Sequence, residues 1–152
     1  MPERSTGSSF DLGALDRQLG EVRHEYPDYE LWLEPGRYLV SVAGILLTHV
    51  TQIKQKGKHG YVGVSTGFNA LIRPALYDSY HEIVNLSKIE LDATEKLTIV
   101  GPICETGDTF GTGHMLPVCE ENDVILIANA GAYGHVMSSR YNLRDIPPEI
   151  SI

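Results

Sequence analysis

From about Val42 onward, stretches rich in β-branched residues follow one another with only short polar or glycine-rich turns between them. Ile45 to Ile53, Tyr61 to Val64, Glu82 to Leu86, Leu97 to Ile103 and Val124 to Ala128 each read as a strand, with no long helix in the intervals. Such spacing predicts a mainly β domain, an antiparallel, Greek-key-like barrel or sandwich. Lys56-Gly57-Lys58-His59-Gly60 is the turn of a hairpin joining the first two strands. Pro74 suits the first position of a short helix running towards Tyr80.

The first forty residues have another character. Residues 1–9 are polar and turn-rich. Between Phe10 and His24, Leu12, Leu15, Leu19 and Val22 recur at three- and four-residue spacing, the stripe of an amphipathic helix that Pro27 helps to end. Leu31-Trp32-Leu33 then reads as a short buried strand stopped by Glu34-Pro35-Gly36. Helix, loop and strand look like one step of a parallel α/β fold, and one step cannot make a sheet. Two regions are therefore expected, residues 1–40 as a piece of α/β structure and 41–152 as the β domain.

Bulk properties exclude several function classes. At 152 residues the chain is long enough for one ordinary core. Twenty acidic against twelve basic residues, a net charge of -8, argue against a nucleic-acid partner. Cys104 and Cys119 show no CxxC spacing, and the six histidines show no metal-ligand spacing. No run approaches the roughly 20 apolar residues of a membrane span, and no signal pattern opens the chain, so a cytoplasmic protein is expected. The sequon Asn85-Leu86-Ser87 is then a coincidence.

Four islands carry chemistry. Each sets a charged or reactive side chain beside glycine or proline, after an apolar stretch that can support a functional loop. Glu34-Pro35-Gly36-Arg37 is by itself an ordinary turn or a cofactor contact. Arg73 and Tyr77, four apart, would share a helix face and could grip one anion, although an N-terminal arginine also pairs with neighbouring acids. Cys104-Glu105 opens a loop containing Gly107, Asp108, Gly111 and Gly113, which favours an exposed thiol over an inert one, whereas Cys119 reads as a core residue. Ala130-Gly131-Ala132-Tyr133-Gly134 brings backbone and a phenol close to a ligand, or is simply a tight turn.

Taken together, these islands resemble the C-terminal portion of the diaminopimelate decarboxylase family, pyridoxal-phosphate enzymes with an alanine-racemase-like barrel. Thr66 to Tyr77 is similar to the family's substrate-binding stretch, Gly101 to Asp108 to its catalytic-cysteine motif, and Ala130 to Asn142 to its closing cofactor motif. The likeness runs from about Leu12 to Pro148 and is nearest to the decarboxylase half of bifunctional aspartate kinase–decarboxylase fusions.

That resemblance implies a lyase converting meso-diaminopimelate to L-lysine and carbon dioxide. Glu34 would face the pyridine nitrogen of the cofactor, and Glu34, Pro35, Gly36 and Arg37 would line it. Arg37 would also reach the substrate carboxylate or the cofactor phosphate. Arg73 and Tyr77 would hold the distal carboxylate, and Glu105 the distal ammonium. Cys104 would be catalytic, returning a proton to the α-carbon, and Tyr133 would touch cofactor and substrate. In the family the Cys104-Glu105 pair comes from a neighbouring subunit, implying a homodimer with a shared site and no metal.

The cofactor-bearing lysine, the histidine stacked on the ring and most of the (β/α)8 barrel would lie upstream of these residues. Residues 1–40 would then be the barrel's last helix–strand unit, and the β domain would stop short of its family end. On that expectation the chain is inactive alone. Two alternatives stay open: an ornithine or lysine decarboxylase of the same fold, and a non-catalytic dimerisation domain.

Overall fold

A computed structural model describes residues 10–152; the reading of residues 1–9 lies outside the described residues. Six strands form a single, nearly closed, barrel-like sheet. In chain order they are β1 (Leu46–Lys56), β2 (His59–Val64), β3 (Ile83–Asn85), β4 (Glu95–Val100), β5 (Thr109–Leu116) and β6 (Val124–Ile127). Their spatial order is β3-β6-β1-β2-β4-β5, and the two outer strands, β3 and β5, themselves meet. The expected hairpin joins β1 and β2, with Lys56 opposite His59 and Gly57 in the left-handed region at φ 61°. Most pairings are antiparallel as expected, but β2 and β4 run parallel, Gly60 to Gly63 lying beside Leu97 to Val100. The long excursion through residues 65–94 allows this, because parallel neighbours need a crossover rather than a tight turn.

The core is the inward face of this sheet. Val50, Val62, Val64, Leu71, Ile83, Leu97, Ile99, Phe110, Leu116, Ile125 and Ile127 pack into one cluster together with Cys119. Cys119 is buried, as its apolar setting implied, and burial pushes its thiol up from the ordinary value. β6 shows the period-two pattern of a sheet packed on one side: Ile125 and Ile127 are buried, whereas Val124 is exposed. Asn85 is likewise buried, its Nδ2 donating to Asp123 at 2.8 Å, which removes it from any glycosylation chemistry.

Three α-helices accompany the sheet among the described residues. α1 (Leu12–Glu25) matches its predicted periodicity and is capped by Asp11, whose carboxylate accepts from the Ala14 N–H at 2.9 Å. None of its residues is buried. α2 (Gly36–Val40) follows Pro35 and was not legible from the periodicity of the sequence. α3 (Arg73–Tyr77) carries Pro74 in its first turn as expected, but ends before Tyr80. Asp78 adopts a left-handed conformation at φ 52°, and its N–H closes the helix on the Arg73 and Pro74 carbonyls.

Two further expectations need correction. Leu31-Trp32-Leu33 is irregular and exposed, since among the described residues no neighbouring strand offers it hydrogen-bond partners. The segment Phe110 to His114, read as loop, lies within β5.

Candidate active site

The loop following β4 is shaped by a carboxylate that no motif reading had assigned. Asp108 is buried, and its two oxygens accept from the Phe68 N–H and the Ile103 N–H, each at 2.6 Å. Burial pushes the Asp108 carboxyl above its ordinary value, and the two N–H groups and Arg144 pull it back only in part. A Cβ at Gly101 would fall inside this carboxylate, so that position tolerates no side chain. The result is a short loop, residues 101–108, wrapped round its own anchor and tied to the 66–68 segment. Cys104 and Glu105 sit exposed at its apex.

The apex is met by the segment 139–142. Tyr141 donates its hydroxyl to Glu105 Oε1 at 2.7 Å, and Asn142 Nδ2 donates to Cys104 Sγ at 3.6 Å. That hydrogen bond and the charge of Glu105 push the Tyr141 phenol above its ordinary value. The Tyr141 ring packs against Phe68 at 5.2 Å between centroids, tilted by 51°.

A second group forms where α3 meets the turn after β6. The half-buried Arg73 donates to Ser79 Oγ at 3.2 Å and lies 5.7 Å above the centre of the Tyr133 ring. Tyr133 holds φ at 60°, a conformation costing a bulky residue about 1–2 kcal/mol, so surrounding structure keeps it there. Behind them His81 is buried, with Nδ1 2.8 Å from the Ala128 carbonyl. A carbonyl oxygen only accepts, so Nδ1 carries the hydrogen and Nε2 faces the interior without a partner among the described residues. Burial lowers the His81 pKa, the nearby Arg73 lowers it further, and the Ala128 bond opposes them. The imidazole is therefore neutral, and it locks the α3 region to the strand that leads into Tyr133.

The Glu34 to Arg37 island is joined to the same turn through the backbone. Ala130 N–H donates to the Gly44 carbonyl at 2.8 Å and Gly131 N–H to the Ser41 carbonyl at 3.1 Å. Cβ atoms at Gly44 and Gly131 would collide with each other's backbone and with the Val40 carbonyl, so the two chains touch glycine to glycine. α2 and the four residues at its start are thus carried beside the Tyr133 turn, all of them exposed. Tyr77 is also exposed, on the last turn of α3.

This sheet carries Cys104, Glu105 and Tyr133 on the loops and turns that follow its strands, all three exposed. Residues 37–131 match the family model described as pyridoxal-dependent decarboxylase, C-terminal sheet domain, and the chain belongs to that family. It is 46% identical over 125 residues to a diaminopimelate decarboxylase of Archaeoglobus fulgidus, covering 82% of this chain and 30% of that protein. Among solved structures it resembles diaminopimelate decarboxylase from M. jannaschii in co-complex with L-lysine (TM-score 0.76, 38% identity, 84% of this chain and 30% of that one). It also resembles lysine decarboxylase from Selenomonas ruminantium (TM-score 0.79, 26% identity, 93% and 37%). The chain spans about a third of the length of the curated relatives it matches.

The structure therefore gathers the predicted residues into two groups, Cys104 and Glu105 in one, Arg73 and Tyr133 in the other, with Glu34 to Arg37 carried alongside the second. Asp108, His81, Tyr141 and Asn142 are additions. Asp108, Tyr141 and Asn142 stood inside recognised motifs, yet only their buried or bonded geometry reveals what they do. His81 left no signal beyond its nearness to Tyr77.

Proposed function

We propose that this chain is the C-terminal, site-bearing part of a pyridoxal-phosphate-dependent diaminopimelate decarboxylase, a cytoplasmic carboxy-lyase that makes L-lysine. Residues 1–40 belong to the end of its barrel and residues 41–152 are its sheet domain. The observation that carries the reading is the Arg73 guanidinium, fixed half-buried over the Tyr133 ring by contacts with neutral groups, in a chain whose relatives are named diaminopimelate decarboxylases. An arginine so placed suits a distal carboxylate, which lysine and ornithine lack.

The residues fit the cofactor in one testable respect. Tyr133 is held at positive φ on a turn whose glycines admit no side chains, and that turn is tied to the exposed Glu34–Arg37 stretch. Pyridoxal phosphate, when bound, supplies a ring that takes up the electron pair left as the bond to carbon dioxide breaks. Glu34 holds a proton at the ring nitrogen. Pro35 and Gly36 bring the backbone close, and Arg37 binds an anionic group of cofactor or substrate. Arg73 and Tyr77 hold the distal carboxylate, and Glu105 the distal ammonium. Cys104 delivers a proton to the α-carbon, replacing the departed carboxylate, and Tyr133 contacts cofactor and substrate. Two copies share each site: Cys104 and Glu105 lean on Tyr141 and Asn142, Arg73 on Ser79 and Tyr133, and the two sets of contacts do not overlap.

The test grafts residues 12–148 in place of the matching part of the Archaeoglobus relative and measures carbon dioxide release from meso-diaminopimelate, lysine and ornithine. The diacid should be preferred, and Arg73→Ala should raise its KM roughly tenfold to a hundredfold, the worth of a charge-assisted contact. Preference for a monocarboxylate overturns the assignment. A second reading has an observation of its own, the fold likeness to the Selenomonas lysine decarboxylase; it predicts that Arg73→Ala leaves KM unchanged.

A further inference from the structure

Consecutive residues on one loop are held by consecutive residues on another: Glu105 by Tyr141 and Cys104 by Asn142. Both loops take their reference from the same stretch of chain. Asp108 fastens the Cys104 loop to Phe68, and the 139–144 segment is fastened at three points to residues 65–69. Ser139 N–H donates to the Asn69 carbonyl at 2.8 Å, Asn69 Nδ2 to the Ser139 carbonyl at 3.3 Å, and Arg144 to the Ser65 carbonyl at 3.0 Å. The backbone at Asn142 is unusual as well. Its φ is 56°, in the left-handed region that asparagine, aspartate and glycine tolerate. Only asparagine of these three offers a neutral side-chain N–H.

We propose that Asn142 is a positioning residue for the Cys104 thiol: its amide fixes the direction of Sγ and steadies the sulfur anion left when the thiol gives up its proton. The proposal rests on the reading of Cys104 as proton donor for its use, though not for the contact itself. An N–H pointing at sulfur stabilises the thiolate over the thiol, as any donor does for the charged form of its acceptor. A carboxylate in the same place would do the reverse. The Phe68–Tyr141 ring contact and the Tyr141–Glu105 bond keep the amide in place while the two loops carry it.

The experiment uses this chain and iodoacetamide, with the rate of alkylation at Cys104 read by mass spectrometry at neutral pH. Thiolate is the reacting form, so the rate reports how well the anion is supported. Asn142→Gly keeps the backbone conformation and removes the donor, and should slow the reaction about fivefold, the worth of one hydrogen bond. Asn142→Asp keeps the shape and presents a negative charge, and should slow it further, about tenfold or more. Asn142 is exposed, so the core is left alone, and buried Cys119 must stay unmodified throughout as the internal sign that the chain is folded. If asparagine merely shields the thiol, glycine would react faster than the parent, and that result overturns the proposal. So does an unchanged rate in both variants. The decarboxylase reading fails separately: full turnover by the graft carrying Cys104→Ala would remove the proton-donor role while leaving the order of alkylation rates intact.

Discussion

Asp108 organises the backbone beneath the loop that carries Cys104 and Glu105. Its carboxylate accepts from two N–H groups that belong to different segments, and so fixes the distance between the 66–68 stretch and the Cys104 loop. Replacing it by alanine strands both donors in a buried setting, at about 1–3 kcal/mol for each. Asparagine is the sharper variant: one oxygen becomes an amide that faces an N–H, so one acceptor is kept and one is lost. Urea unfolding should therefore rank aspartate above asparagine and asparagine above alanine. Equal stability of asparagine and aspartate would mean that one of the two bonds carries no weight. The sequence places Asp108 beside Gly107 in a glycine-rich loop, from which exposure is the natural inference. What it hides is that Gly101 is bare because the carboxylate occupies the space of its missing side chain.

At the scale of elements, the network that ties β3 to the turn before β6 sets the chain's response to acid. Lys88 reaches Glu120 at 3.1 Å and Asp123 at 3.4 Å, and Asp123 also accepts from Asn85 and from the Glu120 N–H, both at 2.8 Å. Burial alone would raise the Asp123 carboxyl, but Asn85, the Glu120 N–H and Lys88 outweigh it, so it lies below its reference of 3.8. A depressed carboxyl contributes stability that is complete above that reference and lost as pH falls from 3.8 through the folded value. Asp108, shifted upward, does the opposite: its contribution is present in acid and lost as pH rises through its folded value. The difference between parent and Asp123→Asn isolates the first effect. It should be about 1.5–3 kcal/mol at neutral pH, from hydrogen bonds to a charged acceptor, and should fade below pH 3.8. A gap independent of pH would show that the carboxylate's charge plays no part.

The same strands show where sequence patterning succeeds and where it stops. β1, β2, β3, β4 and β6 are legible because β-branched residues alternate or run together over a buried face. β5 is not, since Gly111 and Gly113 interrupt it. In the structure Gly113 takes φ 70°, Gly111 makes room for the His114 ring, and the β4–β5 register slips twice beside them. The glycines belong to a bulged strand, where they relieve crowding, and a composition rule cannot tell that from a loop. The parallel β2–β4 pair is hidden for another reason: pairing direction depends on the path of residues 65–94 and not on any local pattern. Of the site, the islands are legible one by one, whereas their grouping through Asn142, Tyr141 and His81 depends on contacts between distant segments.

For the molecule as a whole, the apolar surface is distributed in a way that calls for a neighbour. α1 presents Leu12, Leu15, Leu19 and Val22 on one side yet buries none of them, although an amphipathic helix ordinarily covers that stripe. Trp32 is 82% exposed, Leu39 64% and Val42 57%, with Leu33, Ile45 and Leu47 also uncovered. In the proposed assembly the rest of the barrel packs on this face. Alone, the chain should cover part of it with a second copy, since exposed apolar side chains in this number favour association. The net charge of -8 opposes that, which makes salt the deciding variable. At about 1 M salt the Debye length shrinks to roughly 3 Å and repulsion between copies vanishes, while apolar contact survives. Sedimentation should accordingly show association that rises with concentration and strengthens with salt; contacts made by ion pairs would weaken instead. Trp32 is the chain's one tryptophan, so its emission reports on the face directly and should shift to the blue as copies join. Trp32→Ser combined with Leu33→Ser should return the protein to a monomer and keep the urea midpoint the parent shows at dilutions where it too is monomeric, because neither side chain belongs to the core. A parent chain that stays monomeric at all concentrations, in high salt and with its emission unmoved, would show that this face needs no cover, and would count against residues 10–40 having been shaped to lie under a barrel.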